Sequence, residues 1–163
     1  MTGCTLCFEK SETLCPHYAK LKPLTEAIDN SDVIILARPV YVYHVTGAMK
    51  AFLDHYGYRW IVHRPEEKMF SKQAVCISTA AGAGMKSTNK DMADSMFFWG
   101  IGRTYKYGVA VTAVSWDGVK DKIKMRIDRK TSVISDKSDI LPYLKRQGLP
   151  LANASSRFSF DST

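Results

Sequence analysis

Val33-Ile34-Ile35-Leu36-Ala37 is an unbroken apolar run, and it passes directly into Arg38-Pro39-Val40-Tyr41-Val42-Tyr43-His44-Val45-Thr46-Gly47. The run is short and rich in β-branched residues, the pattern of a strand buried on both faces, as in a parallel sheet covered by helices. Two further runs have the same character: Ala74-Val75-Cys76-Ile77-Ser78 and Val109-Ala110-Val111-Thr112-Ala113-Val114. Helical patterns lie between them. Leu24, Ala27 and Ile28 share a face, with Pro23 suited to a first helical position. Met49, Phe52, Leu53 and Tyr56 recur at helical spacing after Thr46, an expected N-cap. Thr88 and Asp91 read as a capping box ahead of Met92, Met96 and Trp99, with Gly100 and Gly102 as stops. Val119, Ile123 and Ile127 suggest a last helix, although Ile123, Met125 and Ile127 also alternate as a strand does.

Strands alternating with helices predict right-handed βαβ units and an α/β fold of layers around a parallel sheet. Only three convincing strands are present, where such sheets usually have about five. The connector Gly57–Lys72 exceeds the usual linkage and carries Tyr58, Trp60 and Phe70, so it is expected to pack or to meet another subunit. A first domain over residues 1–130 is expected, followed by a tail over 131–163. In that tail Leu141, Tyr143 and Leu144 suggest a short helix, and the Ser-rich end from Asn153 to Thr163 is expected to be loose.

The chain has 163 residues, 45% of them apolar, which is enough for a buried core and unlike a disordered or coiled-coil chain. Its 23 basic and 16 acidic side chains give a net charge of +7, favouring anionic partners without choosing among them. No apolar run approaches the roughly 18 residues of a membrane span, so no membrane association is expected. Met1-Thr2-Gly3-Cys4 does not read as a signal peptide, and a cytoplasmic location follows as an expectation. The four cysteines are then expected to be thiols or ligands.

Ligands of open α/β sheets bind beyond the carboxyl ends of the strands. The first strand ends in the aromatic turn quoted above, and the second in Thr79-Ala80-Ala81-Gly82-Ala83-Gly84, whose small residues let backbone N–H groups approach a flat ligand. Here the sequence resembles a known family. Pro39-Val40-Tyr41, then Thr46-Gly47, then Met49-Lys50-Ala51-Phe52-Leu53-Asp54 is similar to the signature of the NADPH-dependent FMN reductases. The stretch Ser78-Thr79-Ala80-Ala81-Gly82-Ala83-Gly84 is similar to their second flavin-contacting loop, and Gly3-Cys4-x-x-Cys7 with Cys15 to their cysteine-bearing segment.

The resemblance implies a flavodoxin-like three-layer α/β/α fold. It implies FMN as cofactor, NAD(P)H as co-substrate, and a small acceptor such as a quinone, nitro compound or free flavin. Pro39, Val40, Tyr41 and Val42 would line the flavin ring on one side, and Thr79, Ala80, Ala81, Gly82 and Gly84 would meet it on the other. Backbone N–H groups at a strand end suit the anionic reduced flavin. The cofactor supplies the hydride chemistry, and no side-chain nucleophile or base is assigned. Members also carry a strand, a phosphate loop, a helix and a second strand, roughly 35 residues, ahead of the matching segment. The sequence opens after them, so the fold is expected to be N-terminally incomplete. The run at 33–37 would then form a bare edge, for which a homodimer is the expected remedy.

Several motifs admit two readings. Cys4, Cys7, Cys15 and His17 have ligand-like spacing, but a cysteine-rich loop without metal is the expected state. Cys76 reads as a buried small hydrophobe. His44 either reaches a nicotinamide or acceptor, or packs its own loop; His55 and His63 read as packing or surface residues. Lys50 and Asp54 form an exposed helical ion pair. The basic stretch Lys120, Lys122, Lys124, Arg126, Arg129 and Lys130 is broken by Asp121 and Asp128 and reads as a solvated helix face, so no nucleic acid partner is expected. The alternative to an oxidoreductase is a truncated, non-catalytic protein of the same fold acting as an interaction partner. A small metal-binding redox regulator built on Cys4, Cys7 and Cys15 is a third reading.

Overall fold

The computed structural model describes residues 4–61 and 66–137. Three strands, β1 (Val33–Pro39), β2 (Gln73–Ala80) and β3 (Arg103–Ala110), form a parallel sheet in the order β1-β2-β3. The described residues also form seven α-helices: α1 (Leu6–Glu9), α2 (Tyr18–Asn30), α3 (Gly47–His55), α4 (Tyr58–Ile61), α5 (Glu67–Phe70), α6 (Met85–Phe98) and α7 (Asp121–Lys137). Among these described residues, no helix is long and apolar enough to cross a membrane. The inferred tail features at Leu141, Tyr143, Leu144 and Asn153–Thr163, and His63, lie outside the described residues.

The register runs from Val33 opposite Gln73 to Pro39 opposite Thr79, and from Gln73 opposite Arg103 to Ala80 opposite Ala110. Successive side chains point to opposite faces. On one face Ile34, Leu36, Ala74 and Cys76 meet Ile28 of α2, Met49 and Leu53 of α3, and Met92, Ala93 and Met96 of α6. Trp99 completes this core, its ring centroid 4.9 Å from that of Tyr56. The other face carries Tyr105 and Tyr107, paired in register with Val75 and Ile77. Here α7 lies against β3, with the Tyr105 hydroxyl donating to the Lys137 carbonyl at 2.6 Å. This is the expected layering of helices, parallel sheet and helix.

The structure corrects four local readings. The third strand is Arg103–Ala110, and the apolar residues 111–114 belong to the loop beyond it. Its half-buried Tyr105 and Tyr107 and its buried Val109 alternate with Thr104, Lys106 and Gly108, so it lacks the continuous apolar run of β2. Helix α2 starts at Tyr18, so Pro23 sits inside it rather than at its start. The carbonyl deprived of its partner belongs to exposed Ala19, where water can satisfy it. Helix α6 starts at Met85 with Gly84 as N-cap, so Thr88 is a buried interior residue and not a cap. Finally, β1 is not buried on both faces: Ile34 and Leu36 are buried, whereas Ile35 is 53% exposed on an edge strand. Thr46 caps α3 as expected, its Oγ1 accepting the Met49 N–H at 3.3 Å, and Gly100 ends α6 at φ +100°.

The long connector packs through a buried charge. Arg59 of α4 is 1% exposed and donates to Asp29 Oδ1 at 2.8 Å. It also contacts Met69 Sδ at 3.1 Å and lies 5.2 Å from the Tyr56 ring centroid. Lys72 Nζ donates to the carbonyls of Asp29, at 3.0 Å, and Ser31. Burial pulls its ammonium below the usual lysine value, while Asp29 and Asp32 pull it back. Removing one partner from a buried pair strands the other charge. Asp29→Ala is therefore expected to cost about 3 kcal/mol. Urea unfolding measures this, and a loss below about 1 kcal/mol would show the pair to be solvated.

Candidate functional site

The carboxyl ends of the strands are tied together by backbone bonds. The Val40 N–H donates to the Thr79 carbonyl at 2.8 Å, and the Val111 N–H to the Ala80 carbonyl at 2.8 Å. Beyond Val40 the chain reverses between Tyr41 and His44, whose backbones exchange bonds of 3.3 and 3.2 Å. The two central residues, Val42 and Tyr43, have φ of +49° and +66°. Both being positive is the habit of a primed hairpin turn, normally built from Asn and Gly. For a β-branched residue this is a strained backbone, at about 1–3 kcal/mol. Val42 is moreover 89% exposed, and Tyr41 and Tyr43 also face solvent. A strained turn that displays three large side chains must be held from outside.

The second loop holds it. Gly84 has φ +93°, and a Cβ there would lie 2.6 Å from Val40 Cγ1 and 2.9 Å from Tyr43 Cα. The Ser87 hydroxyl donates to the Tyr43 carbonyl. Asp91, one turn further along α6, accepts from the Val45 N–H at 3.4 Å and bonds His44 Nδ1 at 2.9 Å. His44 thus packs its own loop, one of the two roles open to it. Gly108 lets α6 begin close to the sheet, since a Cβ there would come within 2.5 Å of Met85 Cβ. Ser87, Asp91 and Gly108 were not among the expected site residues, whereas Tyr43 lies in the aromatic turn that the sequence placed at the ligand edge. Asp91 carried a local signal, the capping pattern with Thr88, that pointed elsewhere; the others carried none.

The nine expected residues therefore meet at one sheet edge. Pro39, Tyr41, Val42, Thr79, Ala81 and Gly82 are exposed, while Val40, Ala80 and Gly84 are half-buried. Nothing lies within 4 Å of a Cβ built on Gly82, so its backbone faces open space. Gly84 brings no side-chain acceptor to the first amides of α6, leaving the positive end of a 14-residue helix uncapped at this edge. The exposed Arg38 and Lys86 add positive charge. Open backbone, free amides and exposed aromatic faces fit a flat, anionic ring.

A separate cleft is lined by Cys7, Glu12, Cys15, His55, Tyr58 and Arg59, among others, and shares no residue with the two loops. None of Cys4, Cys7, Cys15 and Cys76 forms a disulfide. Burial pushes the Cys7 thiol up, and so do Cys15 and Cys4. Burial raises Cys76 in β2 to about 12, which leaves it an inert core residue as expected.

The sequence pattern described as NADPH-dependent FMN reductase matches residues 2–114. The chain belongs to this family. The NADPH-dependent FMN reductase family has a flavodoxin-like fold, in keeping with the parallel sheet, and FMN as its cofactor. Among curated proteins the chain is similar to an "iron-sulfur flavoprotein" of Archaeoglobus fulgidus, 38% identical over 86 residues that cover 51% of this chain and 35% of the relative. The chain thus spans about a third of that relative's length. It is similar to an NADH:FMN oxidoreductase in its apo form, at 24% identity, 66% of this chain, 54% of the other and a TM-score of 0.49. It is similar also to the Trp repressor binding protein of Bacillus subtilis, at 22% identity, 56% and 62% coverage and a TM-score of 0.45.

The loop contact makes a direct prediction. Gly84→Ala adds a Cβ against backbone in a left-handed conformation and is expected to cost about 2 kcal/mol or more. Gly82→Ala, in open space, is expected to stay within about 0.5 kcal/mol of the parent. Urea unfolding of the two variants checks this, and equal effects would contradict the assigned contact.

Proposed function

We propose that the chain is an FMN-dependent NAD(P)H oxidoreductase that reduces a small acceptor, such as a quinone, nitro compound or free flavin, at the paired loops. The observation that carries this reading is the strained Val42–Tyr43 turn pinned against Gly84 at the carboxyl edge of a parallel sheet. Family membership supports the cofactor class. Bound FMN supplies the hydride and electron-transfer chemistry.

The residues position and polarise. Pro39, Val40, Tyr41 and Val42 form one wall of the slot, and Thr79, Ala80, Ala81, Gly82 and Gly84 form the other. The open backbone at Gly82 and the free amides at the start of α6 stabilise negative charge on the ring. Arg38 and Lys86 draw an anionic ligand to this edge. The exposed Tyr41 and Tyr43 present flat faces to an incoming acceptor. Strain at Val42 fixes the wall in advance, so that the ring meets a surface already shaped for it. The free edge at Ile35 supports a homodimer as the working assembly.

The experiment uses the purified full chain. NADPH oxidation in the presence of a quinone is expected to require added FMN. Val42→Asp, an exposed change that brings a negative charge to the wall, is expected to weaken FMN at least about tenfold while leaving unfolding within about 0.5 kcal/mol of the parent. Absence of FMN-dependent oxidation, with no quenching of FMN fluorescence by the parent chain, would overturn the proposal in favour of a non-catalytic interaction partner.

A further inference from the structure

The spacing of Cys4, Cys7, Cys15 and His17 groups residues of one segment. The structure groups them differently. Cys15 follows a 3-10 turn at Glu12–Leu14, and His17 is the N-cap of α2. His55, the last residue of α3, reaches the same point from 38 positions further along the chain. One ligand atom from each of Cys15, His17 and His55 lies within 4.8 Å of the other two.

The details suit a cation. His55 Nε2 stands 3.2 Å from His17 Nδ1. Two nitrogens on a tetrahedral zinc-sized ion are about 3.3 Å apart, given bonds near 2.0 Å. His55 Nδ1 is 2.5 Å from the Ala51 carbonyl, so the neutral ring donates there and turns its Nε2 lone pair toward His17 Nδ1. A backbone carbonyl on the far nitrogen is the support that fixes metal-binding imidazoles. The His17 backbone N–H points at Cys15 Sγ at 3.4 Å, which holds the sulfur beside the start of α2. His55 closes α3, whose carbonyl end favours positive charge. Cys15 and His55 also line the polar cleft, so a fourth coordination position opens to water there.

We propose that Cys15 Sγ, His17 Nδ1 and His55 Nε2 bind a divalent transition-metal ion of the zinc class, at a site separate from the flavin loops. Two nitrogens and one sulfur select zinc or cobalt over magnesium or calcium. On binding, Cys15 gives its thiol proton to solvent and His17 carries its proton on Nε2, so three lone pairs reach the metal. The ion ties the start of α2 to the end of α3, beneath the connector that holds Arg59.

The test is a titration of the chelator-stripped full chain with Co2+. The parent is expected to bind one equivalent and to show a thiolate-to-cobalt charge-transfer band with the strong visible bands of a tetrahedral ion. Cys15→Ser is expected to lose the charge-transfer band. His17→Gln and His55→Gln are each expected to weaken binding by at least about tenfold. Cys4→Ser and Cys76→Ala are expected to change nothing. Circular dichroism reports the fold of every variant, and exposed His17 guards against a folding defect at His55. Three results would overturn the proposal: no cobalt spectrum in the parent, a parent-like spectrum in both folded histidine variants, or loading with iron and sulfide that depends on Cys4 and Cys7 but not on either histidine.

Discussion

Gly84 stands where two loops touch, and the site depends on that contact. Its positive φ starts α6 at the right angle, and its missing Cβ leaves room for Val40 and the Tyr43 backbone. Without that room the turn at Val42 and Tyr43 has no wall behind it, and two residues with positive φ would relax. The Ser87 hydroxyl and the Asp91 carboxylate then secure the turn from the exposed side. The strain is therefore sustained by a helix that is itself anchored deep in the core through Met92 and Met96. Rigid packing thus reaches the surface at a turn whose Tyr41, Val42 and Tyr43 side chains are left in water.

Much of this was legible in the sequence, for a physical reason. A central parallel strand is apolar on both faces, so β2 announces itself, and the Thr46 cap and the Gly100 stop act through their own local backbone chemistry. The two loops were equally visible, because small and Pro-stiffened residues at strand ends are dictated by local geometry. What was not legible depends on distant partners. Strand β3 pairs by register with β2 and faces α6 through Gly108, so its composition alternates, and the apolar residues beyond it drew the strand too far along. Pro23 could be read only once its neighbouring carbonyl was known to face solvent. Asp91 spends its carboxylate on a loop 46 and 47 residues earlier. His55 meets His17 only because α3 brings it back.

Family membership and geometry have different reach. Membership in the NADPH-dependent FMN reductases gives the cofactor class and the fold. The geometry gives fixed points, the Gly84 contact and the bonds of Ser87 and Asp91 to the turn. The Cys15, His17 and His55 cluster and the loop edge are built from different elements, with Arg59 and Asp29 clamping the connector beside the first. A perturbation of one need not disturb the other.

The most direct measurement of the central claim is amide NMR of the labelled full chain during addition of FMN. The loop account requires the shifts to concentrate at Val40–His44 and Ala81–Ser87, with the amides of Cys15, His17 and His55 unmoved. Shifts centred on the cleft residues, or none at saturating FMN, would contradict it.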